Sequence, residues 1–158
     1  MSLAIEAVEE LSRAHARFLR STASLPESLS GFAPAEGMMT AAQQVAHVAR
    51  VVDWFLEGAF RADGFDLDFE PQIQLVTAVT SLSAARGWLD QSFAAAISAL
   101  ASQTDEALLA PIPPGPVLGG QPRLHIVREI TDHTAHHRGA LTAYARANGI
   151  SPPDPYAM

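Results

Sequence analysis

PRLHIVREITDHTAHHRGALTAYARANG, the stretch from Pro122 to Gly149, reads as one long amphipathic helix with its own start and stop. Proline suits a first helical position, Asn148-Gly149 supplies a C-terminal cap, and Pro152-Pro153 forbids continuation. At roughly 100° per residue, with Ile130 as zero, Val127, Thr134, Leu141 and Tyr144 fall within about 60°. His133 and His137 come out at about -60° and -20° on that scale and therefore point inward, whereas His136 and His125 lie at about -120° and -140°, at the rim or beyond it. The i, i+4 spacing of His133 and His137 places both imidazoles on one helix face, as a chelate requires.

Helical patterning continues through the rest of the chain, with proline and glycine clusters as punctuation. Ile5, Val8, Leu11, Phe18 and Leu19 recur at three- and four-residue steps and predict a first helix from about Leu3 to Ala23. Thr40-Ala41-Ala42-Gln43 fits a capping box and opens a second helix that ends near Arg61. A third, from about Ile73 to Ala101, carries Leu75, Val79, Leu82, Trp88, Leu89, Phe93, Ile97 and Leu100. The connection from Thr104 to Gly120 holds one short helical turn, Asp105 to Leu109, followed by a proline- and glycine-rich loop of the kind that often rims a site. Four long helices with such links predict an all-α four-helix bundle, and 158 residues at 48% hydrophobic content suit a single domain over residues 1–158.

Composition narrows the chemistry. A formal charge of -7 with only ten cationic side chains, all arginine, argues against a nucleic-acid partner. No stretch is long and apolar enough for a membrane span, and Met1 to Ile5 lacks a secretory layout, so a soluble cytoplasmic protein is expected. Without cysteine there is no thiolate ligand and no cysteine nucleophile, and any metal must be held by nitrogen and oxygen.

On the second helix His47, Val51, Trp54 and Gly58 form one stripe, which turns His47 toward the interior as the third ligand beside His133 and His137. Three inward imidazoles need partners, and a divalent ion satisfies one nitrogen of each while leaving a coordination position open. Trp54, Trp88 and Phe55 read as core, and His15 as solvated. Glu129, one turn before His133, is a candidate to orient that ring's free nitrogen, and Arg138 reads as one half of an ion pair, with Asp132 its nearest candidate. A zinc-peptidase helix would carry glutamate where Thr134 stands, and a di-iron bundle would need Glu-x-x-His motifs that the chain lacks.

These residues resemble the DinB/YfiT-like superfamily of small bacterial four-helix proteins. The resemblance lies in Gln43-Gln44-Val45-Ala46-His47-Val48, in Asp132-His133-Thr134-Ala135-His136-His137-Arg138-Gly139-Ala140-Leu141 and, less specifically, in the tail from Asn148 to Tyr156. It implies an up-down-down-up bundle, a divalent metal at the positions of His47, His133 and His137, and frequently a homodimer. Relatives include thiol S-transferases and isomerases that use low-molecular-weight thiols such as bacillithiol or mycothiol. The usual fourth-helix pattern continues with glutamine where this chain has Ala140. The expectation is therefore a Zn²⁺ or Ni²⁺ enzyme of thiol-transfer type acting on a small molecule, with His136 as a proton shuttle at the mouth. A hydrolase that activates water on the same ligands, a non-catalytic metal-binding module and a dimeric scaffold stay open beside it.

Overall fold

The computed structural model describes residues 2–157, and among them no strand forms. Four long helices, α1 (Leu3–Thr22), α2 (Ala41–Phe60), α4 (Leu82–Ala101) and α6 (His125–Ala147), enclose the core, with short helices α3 (Glu70–Thr77) and α5 (Asp105–Leu109) between them. Helices α1 and α2 are each flanked by both α4 and α6, which makes a four-membered ring of packed helices. Hydrogen bonds that cross the ring fix the directions. Ser30 accepts from the Leu82 amide with its hydroxyl and from the Ala42 amide with its carbonyl, so α2 and α4 start side by side. Arg86 reaches the carbonyls of Thr22 and Leu25, which sets α1 antiparallel to α4. Gln44 near the start of α2 meets Tyr144 near the end of α6, so these two are antiparallel as well. The result is the up-down-down-up order.

The helix termini follow their local chemistry. Thr40 and Gln43 cap α2 reciprocally, the Gln43 amide donating to Thr40 Oγ1 and the Thr40 amide to Gln43 Oε1. The five-residue α5 and the end of α6 stand where the sequence puts them, and Gly149 takes a φ of 73° beyond the cap. The expected third helix is instead two. Ser81 accepts from the Ala84 amide and nucleates α4 afresh, so the chain breaks over residues 78–81 and α3 becomes a separate element. Likewise Pro122 lies in a turn before α6 rather than at its first position.

Helix α3 folds back along α2. An added Cβ on Gly58 would lie 2.2 Å from the Phe65 ring, so only glycine lets that ring rest directly on the helix. Phe65 then packs against Trp54, whose Nε1 donates to the Asp66 carbonyl at 2.7 Å. At the far end Gln43 Nε2 donates to the Thr77 carbonyl, so α3 runs antiparallel to α2 and touches little else.

Leu11, Phe18, Leu89, Phe93, Leu100, Ile126, Ile130 and Leu141 form the fully buried centre, and the inner face of α2 is small, with Ala41, Ala42, Ala46 and Ala49 all at 0% exposure. His15 departs from its expected solvation. Its ring stacks on Phe93 at 4.5 Å and its Nε2 meets Asp90 at 2.8 Å, so it acts as an α1 to α4 contact. No described helix is long and apolar enough to cross a membrane.

Because the Leu82 amide is buried and has Ser30 Oγ as its acceptor, Ser30→Ala is expected to destabilise the protein by about 1–3 kcal/mol. Chemical denaturation checks this, and Thr40→Ala, which removes a more exposed cap, should cost about 1 kcal/mol.

Candidate metal centre

Helices α2 and α6 bring His47, His133 and His137 to one point. Nε2 of His133 lies 3.1 Å from Nε2 of His47 and 3.2 Å from Nε2 of His137, and the ring centroids are 4.4–4.9 Å apart. The three form a group able to hold an ion. His137 is buried, while His47 and His133 are half-buried, so the cluster sits at the edge of the core and not at its centre.

Gln44, which the sequence reading passed over, sets the protonation pattern. Its Oε1 is purely an acceptor and lies 2.5 Å from Nδ1 of His137, so the His137 proton is on Nδ1 and its Nε2 presents a lone pair to the other two rings. The amide is itself held in place: Gln44 Nε2 donates to the Tyr144 hydroxyl, which donates to the Met39 carbonyl. The available signal was its position one turn before His47 on the same helix. Glu129, by contrast, does not orient His133, whose Nδ1 is buried without a partner.

The donor set passes a chemical test for an ion. With its proton on Nε2, His133 can donate to His47 or His137 but not to both; with its proton on Nδ1, it buries that N–H without an acceptor and turns a lone pair toward that of His137. Either arrangement leaves a buried nitrogen unsatisfied. One cation at the centre would take up the Nε2 lone pairs that face one another there. Zinc–nitrogen bonds of about 2.0–2.1 Å in tetrahedral geometry place ligand nitrogens about 3.3 Å apart, close to the spacing seen here.

Burial is the main force that holds the rings neutral. It pushes His133 down to about 4, with His47 and His136 adding repulsion, and His137 down to about 3, with His133, His47 and His136 adding repulsion. His47 is lowered for the same reason, with His136 as the second cause. At neutral pH all three therefore offer lone pairs.

His136 is exposed, with its ring 4.8 Å from that of His137, and supplies no ligand to the cluster. His125 is exposed at the start of α6. Arg138 forms no pair with Asp132; its guanidinium donates to the Tyr156 hydroxyl and lies over that ring.

A cleft of about 190 Å³, open to solvent on one side, runs from His47 between α2 and α3. Trp54 packs against the core as expected and also lines the cleft, while Phe55 lies in the core and Trp88 packs against it. The loop from Thr104 to Gly120 contributes nothing to this cleft; Phe69, Ile73 and Val76 of the α3 segment form the wall instead.

Gln44→Leu is expected to free the His137 tautomer and weaken metal binding by about 10–100-fold, measured by competition with a chelator. The metal-free protein also has a predictable acid limb. The unfolded chain binds protons near pH 6.5 and the folded rings only near 4 and 3, so stability is full above 6.5 and falls as pH drops through that window. The stability of the parent relative to His137→Phe should therefore shrink between pH 6.5 and 4; a constant difference would show that the ring titrates alike in both states.

Comparison with known proteins agrees with this architecture. A crystal structure of a Streptococcus pneumoniae protein superposes with a TM-score of 0.70 at 11% identity, covering 92% of this chain and 91% of that one. A DinB-like protein from Bacillus cereus ATCC 10987 superposes with a TM-score of 0.69 at 19% identity and 93% coverage of both. At these identities the likeness is one of fold. No curated protein matches the sequence. The sequence pattern described as DinB superfamily matches residues 10–141, which takes in His47, His133 and His137, and the chain belongs to that superfamily.

Proposed function

We propose that this protein is a divalent-metal-dependent enzyme that uses a low-molecular-weight thiol, with His47, His133 and His137 holding Zn²⁺ or Ni²⁺. The observation that carries the reading is the meeting of three Nε2 atoms around a lone pair that Gln44 forces on His137. When bound there, a divalent ion supplies Lewis acidity and lowers the pKa of a coordinated thiol.

The chain's own residues supply the rest. Three neutral imidazoles add no charge, so the ion keeps its full pull on a donor atom. The Met39–Tyr144–Gln44 chain holds His137 in one orientation as ligands exchange. The apolar cleft beside His47 would shield one side of the electrophile from water. In the transfer, the thiol gives up its proton, a sulfur–carbon bond forms, and the leaving group departs with its bonding pair. His136, exposed next to His137, is placed to pass the thiol proton to solvent. With no cysteine in the chain, the sulfur comes from a cosubstrate. A homodimer in the cytoplasm is part of the same proposal.

The test has two stages. Purified protein is expected to bind about one equivalent of Zn²⁺ or Ni²⁺ per chain, and His47→Ala or His137→Ala to lose it, by elemental analysis; equal and negligible metal in all three would remove the basis of the reading. Conjugation of a small thiol to an electrophile should then fall by about a hundredfold or more on chelation and return with metal. Turnover indifferent to chelation would exclude the metal-dependent transferase.

A further inference from the structure

Around His47 the cleft contains other polar side chains, most of whose polar atoms are engaged within the protein. Gln43 uses both ends of its amide, on Thr40 and Thr77. Arg50 places its two terminal nitrogens on the carboxylate of Glu57 at 3.3 and 3.0 Å, so its charge is matched, and its Nε is buried without a partner. Gln72 Nε2 donates to the Asp68 carbonyl, and the Thr77 hydroxyl to the carbonyls of its own helix. What remains open to a ligand is almost wholly apolar: Met39, Val51, Trp54, Phe69, Ile73 and Val76. Phe69 and Ile73 stay 47% and 54% exposed, which leaves an apolar rim around the opening.

We infer that this cleft takes the apolar body of an uncharged, aromatic-sized electrophile and presents its one polar atom toward His47, so the hydrophilic thiol must approach the metal from another side. The inference rests on the metal reading for the direction in which the ligand points. A charged or sugar-like molecule would have to give up most of its water here for few partners, because the lining is almost wholly apolar and the terminal nitrogens of Arg50 already face Glu57. An aromatic body loses little water and gains contact with the apolar lining, Trp54 and Phe69 among it. The polar position at His47 then suits one polar atom on the ligand.

Calorimetry on metal-loaded protein tests this with naphthol, naphthalenesulfonate and free cysteine as probes. Naphthol is expected to bind at least about tenfold more tightly than naphthalenesulfonate, which carries the same rings with a charge, and cysteine should not displace it. Ile73→Glu places a carboxylate on the rim at a half-exposed position that folding does not need, and should weaken naphthol about tenfold while metal content is unchanged. Equal binding of naphthol and the sulfonate, displacement by cysteine, or indifference of naphthol to Ile73→Glu would overturn the assignment. The two readings fail separately. A protein that takes up no metal yet keeps the preference for naphthol supports the apolar cleft and refutes the metal centre, and metal uptake with no preference does the reverse.

Discussion

One side-chain hydrogen bond, from His137 Nδ1 to Gln44 Oε1, joins the two helices that carry the three-histidine cluster and decides which nitrogen of His137 is free. Its effect is larger than its energy. An ordinary hydrogen bond contributes about 1 kcal/mol to stability, yet this one selects between a ring that donates into the cluster and a ring that accepts there. Gln44 keeps that role only because Tyr144 occupies its other end and Met39 occupies Tyr144. An amide free to flip would present NH₂ to His137 and reverse the tautomer. The order of the histidine cluster thus begins at the Met39 carbonyl that precedes α2 and passes through Tyr144 and Gln44 to His137.

Placing the cluster at the edge of the core follows from the two faces of α2. One face is small, with Ala42, Ala46 and Ala49 against the bundle, and it packs against α4. The adjoining stripe of His47, Val51, Trp54 and Gly58 is left between the core and solvent, and α3 covers only part of it. Gly58 makes that cover possible, since the Phe65 ring must lie on bare backbone before the chain can turn back. A residue that serves the fold at one end of the stripe therefore builds the wall of the cleft at the other.

Much of this was legible in the sequence, and the reasons are local. The capping box of Thr40 and Gln43, the short α5 and the glycine beyond α6 depend on neighbours within a few residues, where turn and cap chemistry is decisive. His133 and His137 are read from one helical period, and the same arithmetic turns His47 inward. What stayed hidden depends on contacts across the chain. Nothing near Gln44 announces that Tyr144, a hundred residues on, will hold it, and nothing near His15 announces Phe93. Trp54 has the periodicity of a core residue, but its stripe lies just off the buried face, so it also lines a cleft. Periodicity also ran through residues 78–81, where the backbone instead re-caps at Ser81.

Clustering three imidazoles this close works against the folded chain. Each buried polar atom without a partner destabilises it by about 1–3 kcal/mol, and the nitrogens cannot all be satisfied by three protons. A protein selected for stability alone would fill these positions with leucine, as it does one turn on at Leu141. The surrounding residues make the opposite choice and maintain the conflict: Gln44 removes the tautomer that would relieve it at His137. An arrangement held in tension by its own neighbours is explained if the folded chain is completed by a cation, since the same lone pairs that repel without one become its ligands. Stability and function are then coupled through one site, with the ion restoring what the bare cluster withholds.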